Sequence, residues 1–207
     1  MKITNFTGKI QLSSIFEPNA PKDKTAAKIS QLCKQFKEQD NLIDIVKIFN
    51  NDSALKIQNP STYEMDLYKF IIGSKENLQE YKKTLAMLNK HKLSICPQLE
   101  QYTQNKNKQY TLLVLKVPEQ EEFMKTFITN KKNIDTLAKC EFVQDLETLA
   151  QKNKVYNSLI LEDPDSIKIT SEGKLYVPDW SYMDRFNSPK EQAEYFNQLR
   201  KIFNLIF

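Results

Sequence analysis

Apolar residues in this chain recur at two spacings, and the alternation between them predicts the order of its elements. Ala26, Ile29, Leu32, Cys33 and Phe36 lie three or four apart, which predicts an amphipathic helix over 21–38. The run 43–49 predicts a strand, and Asn50-Asn51-Asp52-Ser53 supplies turn chemistry, because Asn and Asp tolerate left-handed conformations. A return strand is expected over 54–58, ended by Asn59-Pro60-Ser61, and a third strand over 65–72, ended by Gly73. Ser74 suits a helix N-cap, and Leu78, Tyr81, Leu85 and Leu88 form one stripe running to Asn89. A hairpin follows: 98–103, a polar tip at 104–108, and 109–117, closed by Pro118.

The second half reads as more helical. Asn133 can cap a helix that carries Ile134, Leu137, Ala138, Phe142, Leu146 and Leu149, and a shorter helix is expected over 121–129. Next come a strand over 166–170, a turn closed by Gly173, and a strand ending at Asp179. Ser188-Pro189-Lys190-Glu191 combines a hydroxyl cap, a proline in the first turn and a Glu three residues after the cap. The helix it opens carries Phe196, Leu199, Phe203 and Ile206, a stripe that either docks on its own domain or is offered to a partner. Residues 1–18 are polar, with Gly8 and Pro18, and are expected to form an irregular arm. The class is α+β, with Leu85, Leu112, Val114, Phe142 and Leu146 in the core.

With 207 residues, 40% of them hydrophobic, the chain can bury one core or two small ones. Its longest apolar run, Leu112 to Leu115, falls far short of the ~20 residues of a membrane helix, so no membrane partner is expected. Residues 1–16 hold no continuous apolar block of the kind a secretory leader needs. Cys33, Cys96 and Cys140 are odd in number and widely spaced, which suits reduced, buried thiols in a cytoplasmic protein. The net charge of +4 comes almost wholly from Lys, since Arg185 and Arg200 are the only arginines. Scarcity of the residue that contacts phosphates and guanines bidentately disfavours a nucleic-acid partner.

The stretch Pro164-Asp-Ser-Ile-Lys-Ile-Thr-Ser-Glu-Gly-Lys-Leu-Tyr-Val-Pro-Asp-Trp-Ser181 resembles the protein-kinase hairpin that leads from the catalytic loop to the magnesium-binding aspartate. In that family it reads P-E-N-I-L-V, a Gly turn, a short apolar strand, then D-F-G; the spacing here needs no gap. The resemblance covers roughly 43–181. It implies a small lobe at 41–118, of about five antiparallel strands with one helix, after an arm and helix at 1–40, and a reduced helical lobe with a hairpin at 119–207. It also implies that Lys69 stands where the family's phosphate-pairing Lys does, and Asp179 where its metal-binding Asp does. For Lys69 the plain alternative is a lysine on the solvent face of a strand; for Asp179 it is a surface residue closing one.

The rest of the family's equipment is missing. Asn50-Asn51-Asp52-Ser53 stands where a glycine-rich loop would approach ATP phosphates, and the chain holds only Gly8, Gly73 and Gly173. Glu80, the candidate partner for Lys69, lies off the apolar stripe of its helix and is expected in solvent. Leu161 occupies the general-base position, with Glu162 and Asp163 nearby but out of register, and Ser166 replaces the metal-binding Asn. The 26 residues after Ser181 leave room for one helix. His91, the sole histidine, reads as a solvated helix end favoured by the helix dipole. The expected function is therefore a catalytically inactive kinase-like module that regulates or scaffolds through a protein partner, with at most weak binding of ATP and Mg²⁺. The alternatives are a divergent ATP-dependent phosphotransferase and an unrelated α+β interaction or effector protein.

Overall fold

The computed structural model describes residues 9–15, 22–51, 67–118 and 124–205. It is α+β, and its contacts divide it into two compact units: Met1–Lys83 with Gln98–Gln120, and Thr84–Pro97 with Glu121–Phe207.

The first unit is built on a four-stranded antiparallel sheet in the order β1-β2-β4-β3, formed by β1 (Lys9–Ile15), β2 (Leu67–Ser74), β3 (Gln98–Gln104) and β4 (Tyr110–Val117). Phe70, Ile71 and Ile72 in β2 and Leu112 to Leu115 in β4 are all buried, so the two central strands are covered on both faces. One face carries Phe70, Ile72, Leu112 and Val114, which form a single core with Ile29, Leu32, Cys33 and Phe36 of α1 (Lys22–Glu38) and Ile45 of α2 (Leu42–Asn51). Tyr102 lies on the opposite face, paired with Leu113, and α3 (Lys75–Lys90) sets the Lys82 ammonium over its ring, 3.0 Å from the centroid. The Asn105 side chain ties down the β3–β4 hairpin: it accepts from the Tyr110 N–H and donates to the Gln39 carbonyl beyond α1.

Three expectations for this unit need correction. Residues 43–49 are helical, not a strand. Asn41 caps α2 by accepting from the Asp44 N–H at 3.0 Å, while Lys47 pairs with Asp44 at 3.1 Å. The polar pair Asp44 and Lys47, three apart, is a helix spacing inside an apolar run that also suits a strand. Residues 9–15 of the expected irregular arm form β1, whose period-two pattern sets Ile10 opposite Ile72 and Leu12 opposite Phe70. The expected five strands are four among the described residues, and the return strand at 54–58 lies outside them. The predicted β3–β4 hairpin and the strand at β2 are present, and β4 pairs with β2 in one sheet.

The second unit has its core between α5 (Thr136–Asn153) and α7 (Pro189–Phe203). Phe203 packs on Phe142 and on Phe127 of α4 (Phe127–Asn130), with ring centroids at 5.4 and 4.5 Å, and Arg200 pairs with Glu147. Leu85, Phe142 and Leu146 are buried, as their spacing predicts. Asp135, not Asn133, caps α5 by accepting from the Leu137 N–H. Ser188 caps α7 as expected, its Oγ accepting from the Glu191 N–H, while the Glu191 carboxylate reaches back to the Asn187 N–H at 2.7 Å. The described part of the apolar stripe of α7 is docked: Phe196, Leu199 and Phe203 are buried, and Ile206 lies outside the described residues. The remaining strands are short. β5 (Lys125–Thr126), β7 (Lys168–Ile169) and β8 (Leu175–Tyr176) form one sheet; β6 (Val155–Asn157) and β9 (Met183–Arg185) form another. In place of a helix over 121–129, the described residues hold β5 and α4.

Candidate functional site

The site marked by the sequence is the loop from Asn157 to Ser166 with the hairpin behind it. β6 ends at Asn157, a single turn α6 (Leu159–Glu162) follows, and a 3-10 turn over Pro164–Ser166 leads into β7. The expected strand over 166–170 is therefore only Lys168–Ile169, and its partner is Leu175–Tyr176. Gly173 closes the turn at φ +78, a conformation that favours glycine, and its N–H donates to the Thr170 carbonyl. Beyond β8, Val177 donates its N–H to Ile95 at 2.8 Å, and the fully buried Trp180 indole donates to the Val177 carbonyl at 2.9 Å. These contacts hold the backbone on both sides of Asp179.

Asn157 organises the loop. It is fully buried; its side chain donates to the Asp179 carbonyl at 3.0 Å and accepts from the Leu159 N–H at 3.1 Å. Its own carbonyl accepts from the Tyr195 hydroxyl of α7 at 3.2 Å. Burial pushes the Tyr195 phenol upward, which keeps it protonated as the donor this bond needs. Sequence reasoning passed over Asn157. The signal available was a lone amide closing the strand Val-Tyr-Asn, but its partners lie 22 and 38 residues away.

The carboxylates around this loop hold backbone. Asp163 accepts from the Asp165 N–H at 3.2 Å, Asp165 from the Ile128 N–H at 3.1 Å, and Asp179 from the Ser181 N–H at 2.8 Å. Glu162 is exposed on α6. Leu161, half-buried on the same turn, offers no proton acceptor, and the Ser166 hydroxyl is buried with no hydrogen-bond partner. Among the described residues no group of three His, Cys, Asp or Glu side chains gathers to hold a metal ion.

Lys69 lies in β2, between Ser13 of β1 and Leu115 of β4, and is buried at 8% exposure. The solvent-face alternative for Lys69 is thereby overturned, because both faces of the central strands are covered. Glu80 stands in solvent as expected, paired with Lys83 at 2.6 Å. Lys69 belongs to the first unit and Asp179 to the second. The turn at 50–53, expected between two strands, begins instead with Asn50 and Asn51 at the end of α2, and its remainder lies outside the described residues. His91, expected in solvent, is half-buried and meets Asn153 at 2.9 Å. No described helix is long and apolar enough to cross a membrane. No family model matches the chain, and no curated protein matches it.

Proposed function

We propose that this chain is a catalytically inactive, kinase-like module that regulates or scaffolds by binding another protein. The observation that carries the reading is the apolar side chain of Leu161, half-buried on α6 where the resemblance asks for the general base. Asp163, Asp165 and Asp179 each accept a backbone N–H, and Leu161 offers no base. Phosphoryl transfer needs a base to orient the nucleophile and a close backbone approach to phosphates; one N–H on a carboxylate leaves its second oxygen able to meet a metal, so the missing base carries the argument. Support for kinase-like architecture comes from the order β2, α3, β3, β4 in and around one antiparallel sheet, with Lys69 in β2. It comes also from the sequence of long helix α5, loop, short hairpin and Asp179. The helix α2 stands where the resemblance asks for the first strand of the hairpin that would cover a nucleotide.

The reading is tested by thermal shift with ATP and Mg²⁺ at rising concentration and by a phosphate-transfer assay on the same samples. A ligand at ~100 times its dissociation constant adds about 2.7 kcal/mol, so binding is easily seen. The expected result is no Mg²⁺-dependent shift and no transfer. A shift abolished by Lys69→Ala, together with transfer to any acceptor, would replace this reading with the divergent phosphotransferase.

A further inference from the structure

His91, the only histidine of the chain, follows α3 directly, its N–H donating to the Leu88 carbonyl at 3.0 Å. Asn153 ends α5, just before Lys154 turns left-handed at φ 56. Asn153 Nδ2 lies 2.9 Å from His91 Nε2 and 3.4 Å from the Leu149 carbonyl oxygen. A carbonyl oxygen only accepts, so this second contact fixes the orientation of the amide: the atom facing the imidazole is its nitrogen, a donor. His91 Nε2 must then be the accepting nitrogen, and the ring proton sits on Nδ1.

We propose that His91 and Asn153 form a proton-sensitive latch, closed by the neutral Nδ1–H imidazole and opened when Nε2 is protonated. An imidazolium presents a donor at both nitrogens, so protonation sets N–H against N–H at 2.9 Å. Rotating the amide to offer its oxygen would bring that oxygen against the Leu149 carbonyl, so one bond is lost either way. Charged residues next to the pair in sequence are Lys90 and Lys92 beside His91 and Lys152 and Lys154 beside Asn153; α5 also carries Lys139, Glu141, Glu147 and Asp145, which accepts from Ser94. What the latch secures is the segment after His91. Leu93, Ile95 and Cys96 are buried there, and the Ile95 carbonyl holds Val177, two residues before Asp179. Proton binding at His91 thus loosens the support of the hairpin that ends at Asp179, whatever function that hairpin serves.

Nitrogen-15 NMR of the single imidazole tests the closed state in the unaltered chain. The expected spectrum above neutral pH has Nδ1 protonated and Nε2 bare, the reverse of the tautomer that predominates in free histidine; a protonated Nε2 there overturns the proposal. Thermal unfolding of Asn153→Ala beside the unaltered chain tests the opening. The expected gap at pH 8 is roughly 2–4 °C in favour of the unaltered chain, closing at the pH where the ring titrates, and the Val177 amide signal shifts with the same midpoint. A gap of equal size at pH 5 and pH 8, or a Val177 signal indifferent to the ring's titration, also overturns it.

Discussion

The two units hold their backbones by different means. In the first, strands of seven and eight residues are fixed by ladder pairing and by burial of both faces of β2 and β4. In the second, β5, β7 and β8 are two residues long, and polar side chains complete what the ladders leave open. Asn157, Asp163, Asp165 and Asp179 all do this work around one loop. The lesson is that a carboxylate picked out by local sequence pattern can serve the fold through its hydrogen bonds.

The largest effect that would sharpen this comparison comes from truncating a core side chain in each unit. Phe70→Ala should cost ~3–5 kcal/mol and Leu146→Ala ~2–5 kcal/mol, since both are buried. Cys33 and Cys96 give separate readouts. Burial pushes their thiols up to about 11 and about 12, so both react slowly while the chain is folded. Thiol labelling in mild denaturant should expose Cys33 first in Phe70→Ala and Cys96 first in Leu146→Ala. Equal exposure of both thiols in each variant would break the contrast between the units.

A smaller effect is expected at the buried amide. Asn157→Ala leaves the Asp179 carbonyl and the Leu159 N–H without their partner, at a cost of ~1–3 kcal/mol in chemical denaturation. A loss of less than about 0.5 kcal/mol would show that the loop does not rely on its polar contacts. Ser188→Ala, which removes the cap of α7, should cost ~1 kcal/mol. Because α7 also supplies Tyr195, that variant should weaken the Asn157 loop too, seen as faster amide exchange at Leu159.

The smallest effect is one of pH. Burial raises the Asp145 carboxyl above its ordinary range, against hydrogen bonds from Ser94 that lower it. The folded state then binds this proton more tightly than the unfolded state, so the contribution of Asp145 to stability is present in acid and lost as pH rises through the raised value. Asp145→Asn keeps an oxygen for Ser94 and has no proton to lose. It should therefore be the more stable form at neutral pH, with the advantage gone below the ordinary carboxylate range. Parallel denaturation curves at pH 3 and pH 7 check both the sign and the window.

Much of this fold was legible in the sequence wherever one spacing ran without a competitor. The stripes of α1 and α3, the β3–β4 hairpin and the Ser188 cap with its Glu191 were readable, and the stripe of α5 was readable except at Leu137, which is exposed. The run 42–51 was ambiguous because its apolar residues serve both a strand and a helix, and the decision lay in Asn41, Asp44 and Lys47. β1 was hidden in a polar arm, since a short edge strand takes its stability from the strand it pairs with. At the candidate site the hairpin and its glycine turn were readable, but the engagement of the carboxylates was not. The N–H that Asp165 holds belongs to Ile128, 37 residues away, and local pattern carries no trace of such a partner.

The path of the chain through its two units also sets the order in which a growing chain can complete them. Each unit is discontinuous: the first is interrupted by Thr84–Pro97, and the second is assembled from that segment and from Glu121–Phe207. As synthesis proceeds from the N-terminus, every described strand of the four-stranded sheet has been made once Val117 has emerged. The buried residues Leu93, Ile95 and Cys96 have by then been made as well, but the phenylalanine and leucine side chains of α7 that fill the second core come last. The second unit therefore cannot close until its final helix leaves the ribosome, and a chain stalled before residue 189 would present the apolar faces of Phe127 and Phe142 uncovered.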